Sequence, residues 1–106
     1  MTSSIRPAAE TASLLLLNSQ LYGESRGKRI TRFQVTTTNI RRLSGHNRFV
    51  PEEYIAEIQT ELQKLDWTMI RFDDTGYGIL AMDQMANWPR LGVDRVQDAI
   101  NAAVED

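Results

Sequence analysis

Residues 54–82 read YIAEIQTELQKLDWTMIRFDDTGYGILAM, and the hydrophobic period changes in the middle of this stretch. The first half follows the i, i+3, i+4, i+7 spacing of an amphipathic helix, through Tyr54, Ile55, Ile58, Leu62 and Leu65. The second half has two apolar, β-rich runs on either side of a polar turn, which is typical of a β-hairpin. The stretch therefore predicts a helix over 51–65, opened by Pro51, and a hairpin over 67–83.

The turn of this hairpin, Asp73-Asp74-Thr75-Gly76, has aspartates at its start and glycine at its end. This composition is typical of a type I turn, so we interpret the tip as a simple turn without a binding role. If residues 73–76 form the turn, Phe72 pairs with Tyr77 and Ile70 faces Ile79.

The N-terminal part of the chain predicts one long helix. We expect residues 1–6 to be a frayed terminus. A helix over 7–22 follows, because Pro7 suits a first helical turn and Gly23 is a plausible stop. One stripe of this helix is apolar, through Leu14, Leu17 and Leu21.

Three shorter elements complete the prediction. β-Branched and aromatic residues indicate a strand over 30–35. The threonines and asparagine at 36–39 are N-cap candidates for a helix over 37–44, which Gly45 would end. A final helix is expected over 94–104, with its inward side formed by Val96, Ala99, Ile100 and Ala103.

The fold class is therefore α+β in a single domain, 1–106, with three helices, a short strand, a hairpin and an added C-terminal helix. This order resembles the winged helix-turn-helix superfamily over about residues 8–83. The resemblance is carried by RFQVTTTNIRRLSG (32–45), YIAEIQTELQKLDW (54–67) and TMIRFDDTGYGILAM (68–82). It implies nucleic-acid binding, with the helix after the turn in the major groove and the hairpin as a wing on the backbone. The competing fold is a generic α+β domain in which the short strand joins the hairpin in a three-stranded sheet.

Charge is strongly segregated, although the net charge of the chain is only −2. Residues 26–48 contain seven arginines or lysines and no carboxylate, whereas residues 49–106 carry a net charge of −8. A basic run of this kind is typical of polyanion binding. Three other interpretations remain open: a solvated face, docking onto an acidic protein, or neutralisation by the acidic part of the same chain.

The candidate nucleic-acid contacts combine cations with neutral hydrogen-bonding groups, the mixture that phosphate recognition uses. They are Lys28, Arg29, Arg32, Thr37, Thr38, Asn39, Arg41, Arg42, His46, Asn47 and Arg48. The helix over 51–65 departs from the winged-helix pattern, because its outer face carries Glu53, Glu57 and Glu61. Three carboxylates in a stripe repel phosphates, so we expect double-stranded DNA to meet the segment 28–48 instead of this helix.

Four consecutive leucines, Leu14, Leu15, Leu16 and Leu17, cannot all be hidden by one helical stripe. We expect part of this surface to pack on another chain, most simply in a homodimer, or on the final helix. The alternative function is a protein-interaction module, an adaptor or accessory subunit, that works through these leucines and the glutamate face.

Other chemistries are excluded by residue type. The sequence has no cysteine and one histidine, His46, which excludes disulfides, thiolate zinc sites and a multi-histidine metal site within one chain. The longest apolar run, Leu14 to Leu17, is far shorter than the ~20 residues that span a bilayer. We therefore expect a cytoplasmic protein that is not an enzyme and has no cofactor, metal or membrane partner.

Overall fold

The computed structural model describes residues 4–104, which contain four α-helices and three strands. In chain order they are α1 (Ala8–Arg26), β1 (Arg32–Thr36), α2 (Thr37–Ser44), α3 (Glu52–Lys64), β2 (Trp67–Arg71), β3 (Gly76–Ala81) and α4 (Val96–Val104). Two 3₁₀ turns, Met82–Asn87 and Val93–Arg95, lie between β3 and α4. The class is α+β, as the sequence predicts.

The three strands form one antiparallel sheet in the order β1-β3-β2. The inner face of the sheet is apolar and buried, with Val35, Met69, Tyr77 and Ile79. These side chains share a core with Leu15 of α1, Ile40 of α2, and Ile55, Ile58 and Leu62 of α3. The sheet therefore closes one side of the helices, and its outer face has no layer upon it in the described chain.

The observed hairpin register differs by one residue from the predicted one. Arg71 pairs with Tyr77, and Ile70 lies opposite Gly78 instead of Ile79. Gly76 belongs to β3, where the Phe72 ring covers it: a Cβ there would lie 2.6 Å from Phe72 Cε1. The turn is therefore Asp73 to Thr75, closed by the amide of Phe72 donating to the carbonyl of Gly76 (3.2 Å). Because a one-residue slip exchanges the two faces of a strand, Ile70 points outward.

The buried side of α1 also differs from the prediction. The helix buries Leu15 among small residues, namely Ala8, Thr11, Ala12, Ser19 and Gly23. Leu17 and Leu21 of the predicted stripe are exposed, and Leu14 is half-buried. Small residues let α1 approach α3 closely, and this proximity outweighs the larger apolar area that the leucine stripe would have buried.

Gly23 does not end α1, which continues to Arg26 and stops at Gly27 in the left-handed region (φ 68°). Gly23 instead leaves room for the chain to reverse direction after α1. A Cβ on this residue would lie 2.3 Å from the carbonyl oxygen of Lys28, and the amide of Lys28 donates to the carbonyl of Gly23 (3.0 Å). The returning chain therefore needs glycine inside the last turns of the helix.

The N-terminal segment is held rather than frayed from residue 4 onward, while Met1 to Ser3 lie outside the described residues. The amide of Arg6 donates to the carbonyl of Ser44 (2.8 Å), and its guanidinium donates to the carbonyl of Leu43 (2.7 Å). The Tyr54 hydroxyl lies 2.7 Å from the buried Thr11 hydroxyl and donates to the carbonyl of Arg6. This network ties the segment to α1, α2 and α3.

The short helix and strand lie close to their predicted positions. Strand β1 begins two residues later than predicted and ends one residue later. Helix α2 spans the range that the sequence indicates, with the Thr36 hydroxyl accepting from the amide of Asn39 and Gly45 in the left-handed region (φ 87°) at its end. These boundaries depend on side chain to backbone contacts between near neighbours, which the sequence displays directly.

Helix α4 extends away from the sheet and the other helices. Val96, Ile100 and Ala103, predicted to face inward, are all exposed. Within residues 4–104, α4 has no substantial packing contact other than with the 3₁₀ turn that leads into it. The Cα atoms consequently span 66 × 33 × 22 Å.

Candidate nucleic-acid interface

Three arginines lie together on α2 and the loop that joins it to α3. Arg42 and Arg48 are exposed, and Arg41 is half-buried. The guanidinium of Arg41 donates to the carbonyl of Asn47 (3.3 Å), so the helix and the loop are joined next to these cations. We call Arg41, Arg42 and Arg48 the arginine cluster.

The arginine cluster forms no ion pair with the acidic half of the described chain. Within residues 4–104 no carboxylate oxygen lies within 4.0 Å of the three guanidinium groups. Other arginines do have such partners: Arg29 lies 3.2 Å from Asp83, and Arg71 lies 2.7 Å from Glu52. Intramolecular neutralisation, a rival interpretation of the basic run, therefore applies to Arg29 but not to this cluster.

A cleft of about 340 Å³ opens beside the cluster, between α2, the start of α3 and the hairpin. Arg41 and Arg48 line one side, and Arg71 lines the other. The guanidinium of Arg71 is fixed in place, because it donates to Glu52 (2.7 Å) and to the Tyr77 hydroxyl (2.9 Å). The cleft also contains Asp74, so its positive charge is concentrated on the α2 side.

Phe49 is a functional candidate that the sequence pattern alone did not indicate. Its side chain is 72% exposed, next to Arg48 in the α2–α3 loop, and it lines the cleft. An exposed aromatic ring among cations offers a stacking surface for a base or a sugar. The sequence feature that could have indicated Phe49 is its place in a short basic turn, directly after Arg48 and two residues before Pro51.

The neutral candidates divide into two groups. Thr38, Asn39 and Asn47 are exposed near the arginine cluster, and Thr37 is half-buried and lines the cleft. His46 instead packs edge-on against Tyr54, with ring centroids 4.6 Å apart, and its Nδ1 lies 2.6 Å from the Ser44 hydroxyl. His46 therefore shapes the loop from its inner side.

Lys28, Arg29 and Arg32 lie at the opposite end of the sheet from the arginine cluster. Arg32 begins β1 and pairs with Leu80, whereas Thr36 ends β1 beside the hairpin turn. The four steps along β1 from Arg32 to Thr36 span roughly 13 Å. The structure thus divides the predicted basic segment into two separate surfaces.

The proposed partner-binding residues are also divided. Glu53 and Glu57 are exposed on α3, whereas Glu61 is half-buried and pairs with Lys64 (2.7 Å). Leu17 is 45% exposed, Leu14 and Leu16 are half-buried, and Leu15 is fully buried in the chain's own core. Leu15 consequently has no surface to offer a partner.

Neither a metal-binding cluster nor a membrane-spanning element occurs in the described part of the chain. Residues 4–104 contain no group of three histidine or acidic side chains arranged to hold a metal ion. The helices in the same range are too short or too polar to cross a bilayer. The sequence matches no protein-family model, and it has no significant similarity to curated proteins or to solved structures.

Proposed function

We propose that this chain is a non-catalytic winged-helix protein that binds double-stranded DNA through α2 and the α2–α3 loop. The order of helices and strands and the sheet order β1-β3-β2 are compatible with a winged helix, in which α2 and α3 form the helix-turn-helix and β2–β3 the wing. The observation that carries the proposal is the arginine cluster, which has no carboxylate partner in the described chain.

The proposed contact is centred on α2 and the loop, and α3 does not enter the major groove. Glu53 and Glu57 are exposed on the outer face of α3, where phosphates on both walls of a groove would repel them. Burying unpaired carboxylates against phosphate costs several kcal/mol. Arg42 and Arg48 approach phosphate oxygens from the other side of the loop, and Phe49 contacts a sugar or base beside them.

Lys28, Arg29 and Arg32 are left outside this contact. The length of β1, roughly 13 Å, lies between Arg32 and the start of α2, and Arg29 is already paired with Asp83. Thr37, Thr38, Asn39 and Asn47 are proposed to supply neutral hydrogen bonds to phosphate next to the cluster. His46 supports the loop from inside without touching DNA.

The proposal is tested by measuring binding to random duplex DNA by fluorescence anisotropy at a series of salt concentrations. Because counterions are released on binding, the logarithm of the association constant falls linearly with the logarithm of the salt concentration, by about 0.9 for each phosphate neutralised. Contacts by three arginines should therefore give a slope of about −3. A slope near zero, or no binding at low salt, would refute the proposal.

A protein-interaction module remains the second candidate, because of a specific groove. Between α1 and α3 lies a cavity of about 350 Å³, lined by Ala8, Ala9, Ala56, Glu57, Thr60 and Glu61. Its small apolar floor and acidic edge suit a basic, amphipathic segment of a partner. In that case the chain acts as an adaptor or accessory subunit, and random duplex DNA does not bind in the salt series above.

A further inference from the structure

Two apolar surfaces of this chain have no partner in the described residues. One is the outer face of the sheet, where Ile70 is 60% exposed beside Phe72, Gly78 and Leu80. Together with Arg32, Phe33, Gln34 and Ile79, these four residues line a groove of about 570 Å³, which we call the sheet groove. The other is one side of α4 and of the turn before it, formed by Val93, Val96, Ile100 and Val104, which we call the α4 stripe.

Gly78 gives the sheet groove its depth. It lies opposite both Gln34 and Ile70 in the middle strand, and a Cβ built on it would meet nothing within 4 Å. Ile70 stands beside this position on β2, Gln34 lies on the β1 side, and Leu80 follows it along β3. A glycine bordered in this way leaves room for a branched side chain from a helix that lies across the strands.

The α4 stripe has the shape that such a groove requires. Val93, Val96, Ile100 and Val104 follow a spacing of three to four residues and share one helical face, and Ala99 and Ala103 beside them allow close approach to a sheet. The opposite face of α4 is polar, where the side-chain amide of Gln97 donates to Asn101 (3.0 Å). The helix therefore presents one apolar side to a partner and one polar side to water.

The linker directs α4 away from its own sheet. Trp88 precedes proline, which disfavours helical backbone, and it is extended (φ −80°, ψ 147°). Residues 88–92 continue without helix or strand, and the long axis of the molecule, 66 Å, is twice the next one, 33 Å. In this arrangement α4 does not reach its own sheet, so its apolar side is open to a second copy.

The buried area also favours an exchange between two copies. If each of about six apolar side chains loses roughly 100 Å² of exposed surface, one helix–sheet contact buries about 600 Å², which is too little for a stable complex. A two-fold exchange makes the same contact twice and buries about 1,200 Å², the lower bound of stable interfaces.

We propose that two copies of this chain associate by placing the α4 stripe of each in the sheet groove of the other. The proposed contact contains no residue of the arginine cluster, so the association is independent of DNA binding. Two copies joined in this way present two arginine clusters related by a two-fold axis.

The test is sedimentation equilibrium of the full chain at loadings from about 1 to 300 μM, a range that brackets the micromolar affinity of a small interface. The expected mass rises from monomer to dimer. Gly78→Val should keep the fold, because the position is open and a strand accepts valine, and it should weaken the dimer at least tenfold. Ser13→Val, which adds the same side chain at an exposed position of α1, should leave the dimer unchanged.

Two further variants test the helix side with matched charge. Ile100→Asp places a carboxylate in the α4 stripe and should abolish the dimer, whereas Asn101→Asp adds the same charge on the polar face and should not. Circular dichroism checks that each variant retains its helices and strands.

Three results would overturn the proposal. A wild-type chain that stays monomeric at all loadings has no such exchange. A monomer whose radius of gyration by small-angle scattering is well below 18.2 Å has docked α4 on its own sheet instead. A dimer that survives Gly78→Val and Ile100→Asp but is lost in Leu17→Gln/Leu21→Gln is held together by α1.

Discussion

The hydroxyl of Tyr54 donates a hydrogen bond to the backbone carbonyl of Arg6, 2.7 Å away, and thereby joins α3 to the segment that precedes α1. Since the Tyr54 hydrogen is used in this bond, the Thr11 hydroxyl, which also lies 2.7 Å from the Tyr54 oxygen, donates to it. The Thr11 side chain is fully buried, so this oxygen is its partner in the interior. The Tyr54 hydroxyl therefore forms hydrogen bonds with one backbone carbonyl and one side-chain hydroxyl, both of which lie far from Tyr54 in the sequence.

Tyr54→Phe removes this oxygen and keeps the ring against His46. We expect the free energy of unfolding to fall by roughly 1–3 kcal/mol, because a buried hydroxyl loses its partner. Urea unfolding measures the change. Tyr22→Phe is the matched control: its ring is half exposed under the guanidinium of Arg26, and the stability should change by no more than about 0.5 kcal/mol. Equal losses in both variants would contradict the network.

Arg42→Ala/Arg48→Ala tests the arginine cluster. Both side chains are exposed, and Arg41 is left intact because it is half-buried and holds the loop through Asn47. We expect weaker binding to duplex DNA and a salt slope that is shallower by about two, because two phosphates are no longer neutralised. Thermal unfolding should be nearly unchanged.

The control for this variant is Arg90→Ala/Arg95→Ala, which removes two positive charges from the segment after β3. If this control weakens DNA binding as much as Arg42→Ala/Arg48→Ala does, the protein attracts DNA only through its total charge. The proposed interface on α2 would then be wrong.

Glu53→Gln/Glu57→Gln tests whether the outer face of α3 meets DNA. Glu61 is left unchanged because it pairs with Lys64. We expect a small gain in DNA affinity at low salt that disappears at physiological salt, where charges farther apart than ~8 Å are screened. Asp94→Asn/Asp98→Asn makes the same charge change on α4 and the turn before it. A large gain specific to α3 that persists at high salt would show that α3 enters the groove after all.

Leu15→Ala and Leu17→Ala compare the two sides of α1. Leu15 is fully buried, and its truncation should cost roughly 2–5 kcal/mol, because it removes apolar contacts and leaves a cavity. Leu17 is 45% exposed, and its truncation should cost less than about 1 kcal/mol. Chemical denaturation measures both. A larger loss of stability in Leu17→Ala than in Leu15→Ala would mean that the leucine stripe predicted from the sequence is the buried side after all.

Gly23→Ala tests the chain reversal after α1. Alanine in a helix gains up to about 1 kcal/mol over glycine, but its Cβ would lie 2.3 Å from the carbonyl oxygen of Lys28. Overpacking of this kind costs roughly 1–3 kcal/mol, and a backbone carbonyl cannot rotate away as a side chain can. We therefore expect a net loss of stability. Net stabilisation in thermal unfolding would mean that the segment after Gly27 moves freely.

Features that depend on near neighbours were predictable from the sequence. The Thr36 cap and the Gly45 stop define α2, and the apolar period of α3 places Ile58 and Leu62 in the core. The same holds for the concentration of cations between residues 26 and 48, although not for its division into two surfaces. That division follows from the direction of β1, which sequence alone does not give.

Features that depend on what approaches an element were predicted wrongly. The buried side of α1 is decided by how close α3 comes, which favours small residues such as Ala12 over the more hydrophobic Leu17. The hairpin register is decided by the Phe72 ring covering Gly76. Phe49 was overlooked for a related reason, since an aromatic residue in a loop can turn inward or outward, and only the surrounding structure decides.

The middle strand of the sheet, β3, is also the last strand along the chain. During synthesis β1 and β2 are therefore complete before either has a partner, and only the helices can assemble in the meantime. The β2–β3 hairpin closes locally, but β1 also pairs with β3 alone and must close the loop over residues 37–75, and such non-local pairing is associated with slow folding. A chain that ends before Gly76 would keep two unpaired strand edges, with Ile70 exposed on one of them, and would be prone to aggregate.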